Sequence, residues 1–192
     1  MQSCIKKIKE KIMFKDFDIS SFKKMKPPGD NTFDTMQEVK ELKSIPINKK
    51  FVKDNDNIEA AFKKTAKDNN IEDYDPKVAA KLIKDSAPVI MELKKYFDRP
   101  RPKTIAKKMN IKMKDIEMKS MKTPSYPSGH SVQGVLIAKV LGDKHPKAKS
   151  AFNKTGENIS YSRRVAHAHY KSDSKMGEKL GNAMYKHIKN KI

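Results

Sequence analysis

Apolar residues recur every three or four positions along most of this chain, the spacing of a helix with one buried face. No stretch shows a convincing period of two, so no strand is expected. Ile5, Ile8, Ile12 and Met13 share a face, and residues 1–25 read as a basic, weakly amphipathic helix and linker, an arm ahead of a main domain at 26–192. Pro27-Pro28-Gly29-Asp30 breaks the chain firmly. Thr35 to Leu42 then predicts a short helix ended at Ile45-Pro46, and Asn55 to Asn69 another, with Ile58, Ala61, Phe62 and Thr65 inward. Asp75-Pro76 is an N-cap followed by proline at the first helical position. Val78, Leu82 and Ile83 follow, and Pro88 is expected to break or restart the helix with Ser86 as cap, before Val89, Ile90, Leu93 and Phe97.

Residues 104–118 read as helical through Ile105, Met109, Ile111 and Ile116, and the methionines here read as packing filler. Thr123 to Pro127 is a loop. Ser128 opens a helix with Val132, Val135, Leu136 and Val140, stopped at Gly142. Pro146 starts the next, whose stripe runs through Phe152, Thr155, Ile159, Ser162, Arg163 and Ala166. A last helix, capped by Ser172, carries Met176, Leu180, Met184 and Ile188. Gly134, Gly156, Gly177 and Gly181 fall inside these helices, where small residues permit close contact. The fold class is therefore all-α, a single-domain helical bundle.

Composition narrows the partners. The net charge is +20, with 34% of residues charged and 36% apolar. Such a chain attracts anions: small anionic substrates, an anionic membrane surface or nucleic acid. Cys4 is the single cysteine, which excludes an internal disulfide and a cysteine-based zinc site. No apolar h-region marks a secretory signal, and no run approaches the roughly 20 residues of a membrane span. A cytoplasmic protein is expected, or one of the virion or host cytoplasm if its source is viral.

Within that field of positive charge there are only four arginines against thirty-nine lysines, and they fall in two pairs, Arg99/Arg101 and Arg163/Arg164. Arginine offers a planar fork that grips an oxyanion with two bonds, so the skew points to an oxyanion site. Pro127-Ser128-Gly129-His130 enters a helix whose first N–H groups are unpaired, which makes an anion cradle with a histidine on its rim. Arg163 lies on an apolar stripe and wants an anionic partner. Asp173, four residues after His169, can accept a bond from one ring nitrogen and leave the other free as a nucleophile. Lys94 ends a helix and Arg101 follows a rigid turn, so both can reach a shared pocket.

The pattern Lys94, six residues, Arg101-Pro102; Pro127-Ser128-Gly129-His130; Ser162-Arg163, five residues, His169, three residues, Asp173 resembles the signature of the type 2 phosphatidic acid phosphatase superfamily. That group includes class A non-specific acid phosphatases, membrane lipid phosphatases and vanadium-dependent haloperoxidases. The neighbourhood most resembles the class A acid phosphatases, over about residues 88–190. The resemblance implies a metal-independent phosphatase of phosphate monoesters (nucleotides, pyrophosphates or lipid phosphates among them) that needs no cofactor. His169 would be the nucleophile of a phosphohistidine intermediate, Asp173 its orienting partner and His130 the general acid. Lys94, Arg101, Ser128, Gly129 and Arg163 would hold the phosphate, and no metal is implied.

Three positions depart from the family pattern: His167, Arg164 and Lys171. His167 is expected to crowd the pocket or face solvent, and Arg164 and Lys171 hint at polyanionic substrates. Two alternatives stand beside the phosphatase: a haloperoxidase-like enzyme holding vanadate, and a basic protein binding nucleic acid or anionic lipid on a phosphatase scaffold. The expected partner is a small phosphorylated substrate. Peripheral contact with anionic membrane and a homo-oligomer are left open, and nucleic acid ranks last.

Overall fold

The computed structural model describes residues 13–190. Its helices are α1 (Ser20–Lys23), α2 (Phe33–Ser44), α3 (Lys49–Asp56), α4 (Ile58–Asp68), α5 (Pro76–Phe97), α6 (Pro102–Lys108), α7 (Gly129–Lys144), α8 (Lys149–Val165) and α9 (Lys171–Ile188). Turns of 3₁₀ helix occupy Lys119–Lys122 and Pro146–Ala148, and the described residues contain no strand. The fold is all-α.

Helix α7 lies between α8 and α9 and packs closely on both, while α8 and α9 touch each other little. Glycine makes this possible. A Cβ on Gly156 of α8 would stand 2.6 Å from the Gly134 carbonyl oxygen of α7. One on Gly177 of α9 would stand 2.6 Å from the carbonyl oxygen of Ser128, at the N-terminus of α7. The main core gathers Phe62, Leu82, Leu93, Leu136, Ile137, Phe152, Ile159 and Leu180 around these helices. Each large apolar side chain buried there contributes roughly 1.5–3 kcal/mol.

None of the glycines has positive φ. The left-handed residues are instead Asn70, Asp98, Asn110 and His167. Three of them follow helix ends closed by paired backbone bonds. After α8, Ala168 N–H donates to the Arg163 carbonyl and His167 N–H to that of Arg164, each at 2.9 Å. A left-handed residue is what this ending requires, usually glycine.

Several boundaries differ from the pattern-based expectation. Most of the helix read at 1–25 falls on residues 1–12, outside the described residues. Residues 13–25 form a turn and the short α1, with Phe14 and Phe22 buried in the core. The helix read from Asn55 to Asn69 is two helices, because Asn57 leaves helical geometry and its side chain caps α4 by accepting from Ala60 N–H. Lys49–Asp56, unread in the sequence, is capped in the same way by Asn48.

Pro88 does not break α5, which runs unbroken from Pro76 to Phe97. Pro88 removes one N–H from the ladder, that which would meet the Lys84 carbonyl. The Ser86 hydroxyl and the Gln133 amide both donate to the Ile83 carbonyl, at 3.1 and 3.3 Å. Ser86 is thus a mid-helix residue rather than a cap. The helix read at 104–118 stops at Lys108, since Asn110 turns left-handed and Ile111 N–H closes on the Ala106 carbonyl at 2.8 Å. Residues 111–118 instead form an irregular strap, pinned where Ile116 N–H donates to the Ala166 carbonyl at 3.0 Å. Apolar side chains of the strap and its flanks cover two satellite clusters, with Met109, Ile111 and Met113 packed on the one that holds Ile105 and Tyr170, and Ile116, Met118 and Met121 on the one that holds Val165 and Ala168. Gly142 sits inside α7 rather than ending it, and α9 is entered from Tyr170, not Ser172.

Candidate active site

Three local features aim side chains at one place. Asp98 caps α5 in the left-handed region, and the prolines at 100 and 102 keep the intervening backbone extended, with Arg101 at φ −68° and ψ 154°. This turn follows Lys94 at the end of α5 and projects Arg99 and Arg101 in different directions. Second, the loop through the cis Tyr126–Pro127 bond leads to Ser128, whose side chain accepts from Ser131 N–H as the N-cap of α7. Gly129 and His130 then supply the first, unladdered N–H groups of that helix. Third, the left-handed His167 swings Ala168 and His169 off α8 toward α9.

The predicted residues converge. His169, 4% exposed, has Nδ1 3.0 Å from Asp173 Oδ2 and Nε2 2.9 Å from an Arg101 guanidinium nitrogen. A neutral ring therefore donates its Nδ1 proton to Asp173 and keeps an Nε2 lone pair, which the guanidinium now caps. Burial, then the charges of Arg101 and Lys94, push His169 well below the usual histidine range, against the pull of Asp173. The ring is neutral near pH 7.

Asp173 is fully buried. Burial opposes its charge, but hydrogen bonds and charge from His169, Arg99 and the Ser125 hydroxyl hold its carboxyl below the ordinary carboxylate value. Oδ2 also accepts from Tyr170 N–H at 3.0 Å, and Oδ1 from Arg99 at 2.7 Å. Its backbone carbonyl accepts from Ser128 N–H at 3.1 Å, tying the start of α9 to the cradle.

Lys94 donates to the Pro124 carbonyl, and burial with Arg101 nearby lowers its pKa to about 7. Arg101 is lowered by burial to about 10 and stays charged, bonded to the carbonyls of Thr123, Ser120 and Ala168. Arg163 is wholly buried and donates to Asp56 Oδ1 at 2.7 Å and to the Ser120 hydroxyl at 3.3 Å. His130 Nε2 lies 3.0 Å from the Asp56 backbone oxygen, and burial, then the Arg163 charge, lower its pKa to about 4.

Four participants were not assigned from the sequence: Arg99, Glu38, Ser125 and Asp56. Arg99 does not reach for an oxyanion. It is 2% exposed, bonded to Asp173, Ser172 and Glu38, and stacked 3.9 Å from the Tyr170 ring. Glu38 in turn accepts from Ser172 N–H and hydroxyl at 2.7 Å each. The arginine skew thus splits, with Arg101 and Arg163 lining the site and Arg99 holding its frame. Glu38 and Asp56 lie far away in sequence on α2 and α3, and no local pattern marks them.

The three departures also resolve. His167 neither crowds the pocket nor faces solvent: its ring is clasped between the carbonyls of Lys114 (2.6 Å) and Ile45 (2.9 Å). Arg164 and Lys171 both donate to Glu41 Oε1, at 2.8 and 3.1 Å, and line a groove between α8 and α9.

The family model for the PAP2 superfamily matches residues 79–189, more than half of the chain. The chain belongs to the PAP2 superfamily. Among its relatives, the non-specific acid phosphatase of Salmonella typhimurium is 34% identical over 88 residues, which is 46% of this chain and 35% of that protein. The non-specific acid phosphatase of Salmonella typhi is 33% identical over the same shares. The matched stretch thus spans about a third of these relatives. Within the PAP2 match lie Lys94, Arg101, the cradle, Arg163, His169 and Asp173, whereas Glu38 and Asp56 lie outside it. Among the described residues no helix is long and apolar enough to cross a membrane.

Proposed function

We propose that this PAP2 chain is a metal-independent phosphatase that hydrolyses small phosphate monoesters through a phosphohistidine intermediate. The observation that carries the reading is the His169–Asp173 pair at 3.0 Å, with the other ring nitrogen 2.9 Å from the Arg101 guanidinium. His169 Nε2 attacks phosphorus, the phosphorus–ester oxygen bond breaks, and His130 gives its proton to the leaving oxygen. His130 then takes a proton from water as the water attacks the phosphohistidine, and inorganic phosphate leaves. Phosphoryl transfer needs mainly positioning and charge stabilisation. Lys94, Arg101 and Arg163 supply three fixed cations, and Ser128, Gly129 and the N–H groups of α7 supply the rest.

The test is release of phosphate from p-nitrophenyl phosphate at pH 5–6 with EDTA present. Wild-type turnover is expected, with His169→Ala below roughly a thousandth of it. A fully active His169→Ala variant would overturn the phosphohistidine route, and a wild type inert on every phosphate ester would overturn the phosphatase.

A further inference from the structure

Helix α8 ends on His167 in the left-handed region, at φ 55°. Glycine is the usual residue there, because a β-carbon crowds the backbone. The histidine is also buried, at 4% exposure. A residue in this conformation persists only where its surroundings hold it, and such residues gather at functional sites. What holds His167 is its ring. Nδ1 lies 2.6 Å from the Lys114 carbonyl of the strap, and Nε2 lies 2.9 Å from the Ile45 carbonyl between α2 and α3. In any protonation state at least one of these is a donated bond. The neighbouring Ala166 carbonyl accepts from Ile116 N–H at 3.0 Å. The strap is thus fastened to the end of α8, two residues before the nucleophile.

From that fastening the strap runs directly to two arginines. Met118 Sδ and Ser120 Oγ accept from one Arg163 nitrogen, at 2.8 and 3.3 Å. The carbonyls of Ser120 and Thr123 accept from Arg101, at 3.0 and 2.9 Å. On its other side the Arg101 fork meets the Ala168 carbonyl and His169 Nε2, each at 2.9 Å. Arg101 therefore sits between the strap and the loop that carries the nucleophile, and His167 is a side chain that ties those two walls together. Residues 111–118 have no helical ladder of their own, so their anchors fix where the following carbonyls stand. A guanidinium is planar and grips two oxygens only when it is aimed, whereas an ammonium is a point charge.

We infer that His167 is a positioning residue: it holds the strap so that Arg101 and Arg163 keep the orientation that receives phosphate. This rests on the phosphatase reading above, in which those arginines hold the phosphate.

The experiment compares wild type with His167→Gly and His167→Asn, each as the full chain and well below its own Tm. The readouts are kcat/KM for p-nitrophenyl phosphate and the inhibition constant of inorganic phosphate. Glycine is at ease in the left-handed region, so the turn that delivers His169 survives while the clasp is lost. Asparagine also tolerates that region and keeps an amide donor, at shorter reach. In His167→Gly, kcat/KM is expected to fall about 10- to 100-fold and the phosphate constant to rise about 3- to 10-fold, with His167→Asn in between. On top of Arg101→Lys, the same glycine substitution is expected to cost at least about threefold less, since an ammonium has no fork to aim. A histidine that serves only the fold would lower Tm in both variants and leave both constants at their wild-type values. That result would overturn the positioning role while the phosphatase stands, and so would an equal loss with and without Arg101→Lys. A wild type that neither hydrolyses the ester nor binds phosphate would overturn both.

Discussion

His169 and His130 face one site from two sides, and their supports are built differently. Behind His169 stands a buried chain, Asp173, then Arg99, then Glu38 and Ser172, in which the carboxylates meet a guanidinium or a backbone N–H. Behind His130 stands Asp56, its backbone oxygen at 3.0 Å and its half-exposed carboxylate at 3.6 Å, and that carboxylate also caps Arg163. The His169 side is held by buried charge pairs. On the His130 side, the Asp56 carboxylate occupies the Arg163 fork.

The sharpest way to break that contrast is Arg99→Ala. It strands Asp173 and Glu38 without their shared cation in a buried site, so stability should fall by about 3–5 kcal/mol. Chemical denaturation or a drop in Tm would read the loss. A change under about 1 kcal/mol would show that the frame behind His169 is not charge-locked.

Next is His130. Its free-site pKa of about 4 means that the protonated acid is depleted as pH rises above 4. The kcat/KM profile, which reports the free enzyme, should fall from there, while the kcat limb should lie at higher pH because a bound phosphate dianion favours the imidazolium. Coincident limbs would count against His130 as the acid. Lys94 gives a milder effect. Its charge is present below about pH 7 and lost above it, so inhibition by inorganic phosphate should weaken through pH 7 by up to about tenfold. Lys94→Arg should remove that step.

Asp56→Asn should act in the opposite sense on the same anion. It frees the Arg163 fork and should tighten phosphate binding by roughly 3- to 10-fold. Breaking the pair leaves the wholly buried Arg163 without its carboxylate, so stability should fall by about 1–3 kcal/mol. Smallest of all, Glu41→Gln loosens Arg164 and Lys171 at the surface and should move stability by less than about 0.5 kcal/mol, with turnover unchanged.

The helical period, the caps at Asp75 and Ser128 and the small residues at Gly156 and Gly177 were all legible along the chain, because each is a local requirement of a helix or of close packing. So were Lys94, Arg101, the Ser128-Gly129-His130 cradle, Arg163, His169 and Asp173 as candidates, through short spacings and through arginine kept scarce among lysines. Local pattern could not tell which arginine reaches into the site. Arg99 and Arg101 are two residues apart on one extended turn, and only the arrival of Glu38 from α2 and Asp173 from α9 draws Arg99 inward as a strut. Pro88, read locally as a break, sits inside an unbroken α5, where Gln133 of α7 donates to the Ile83 carbonyl of the same helix. The strap at 111–118 reads as a helix until Asn110 turns and Ala166 offers its carbonyl. Spacing along the chain determined what each residue can do. Contacts between residues far apart in sequence, which no local period encodes, decided whose charge each one meets.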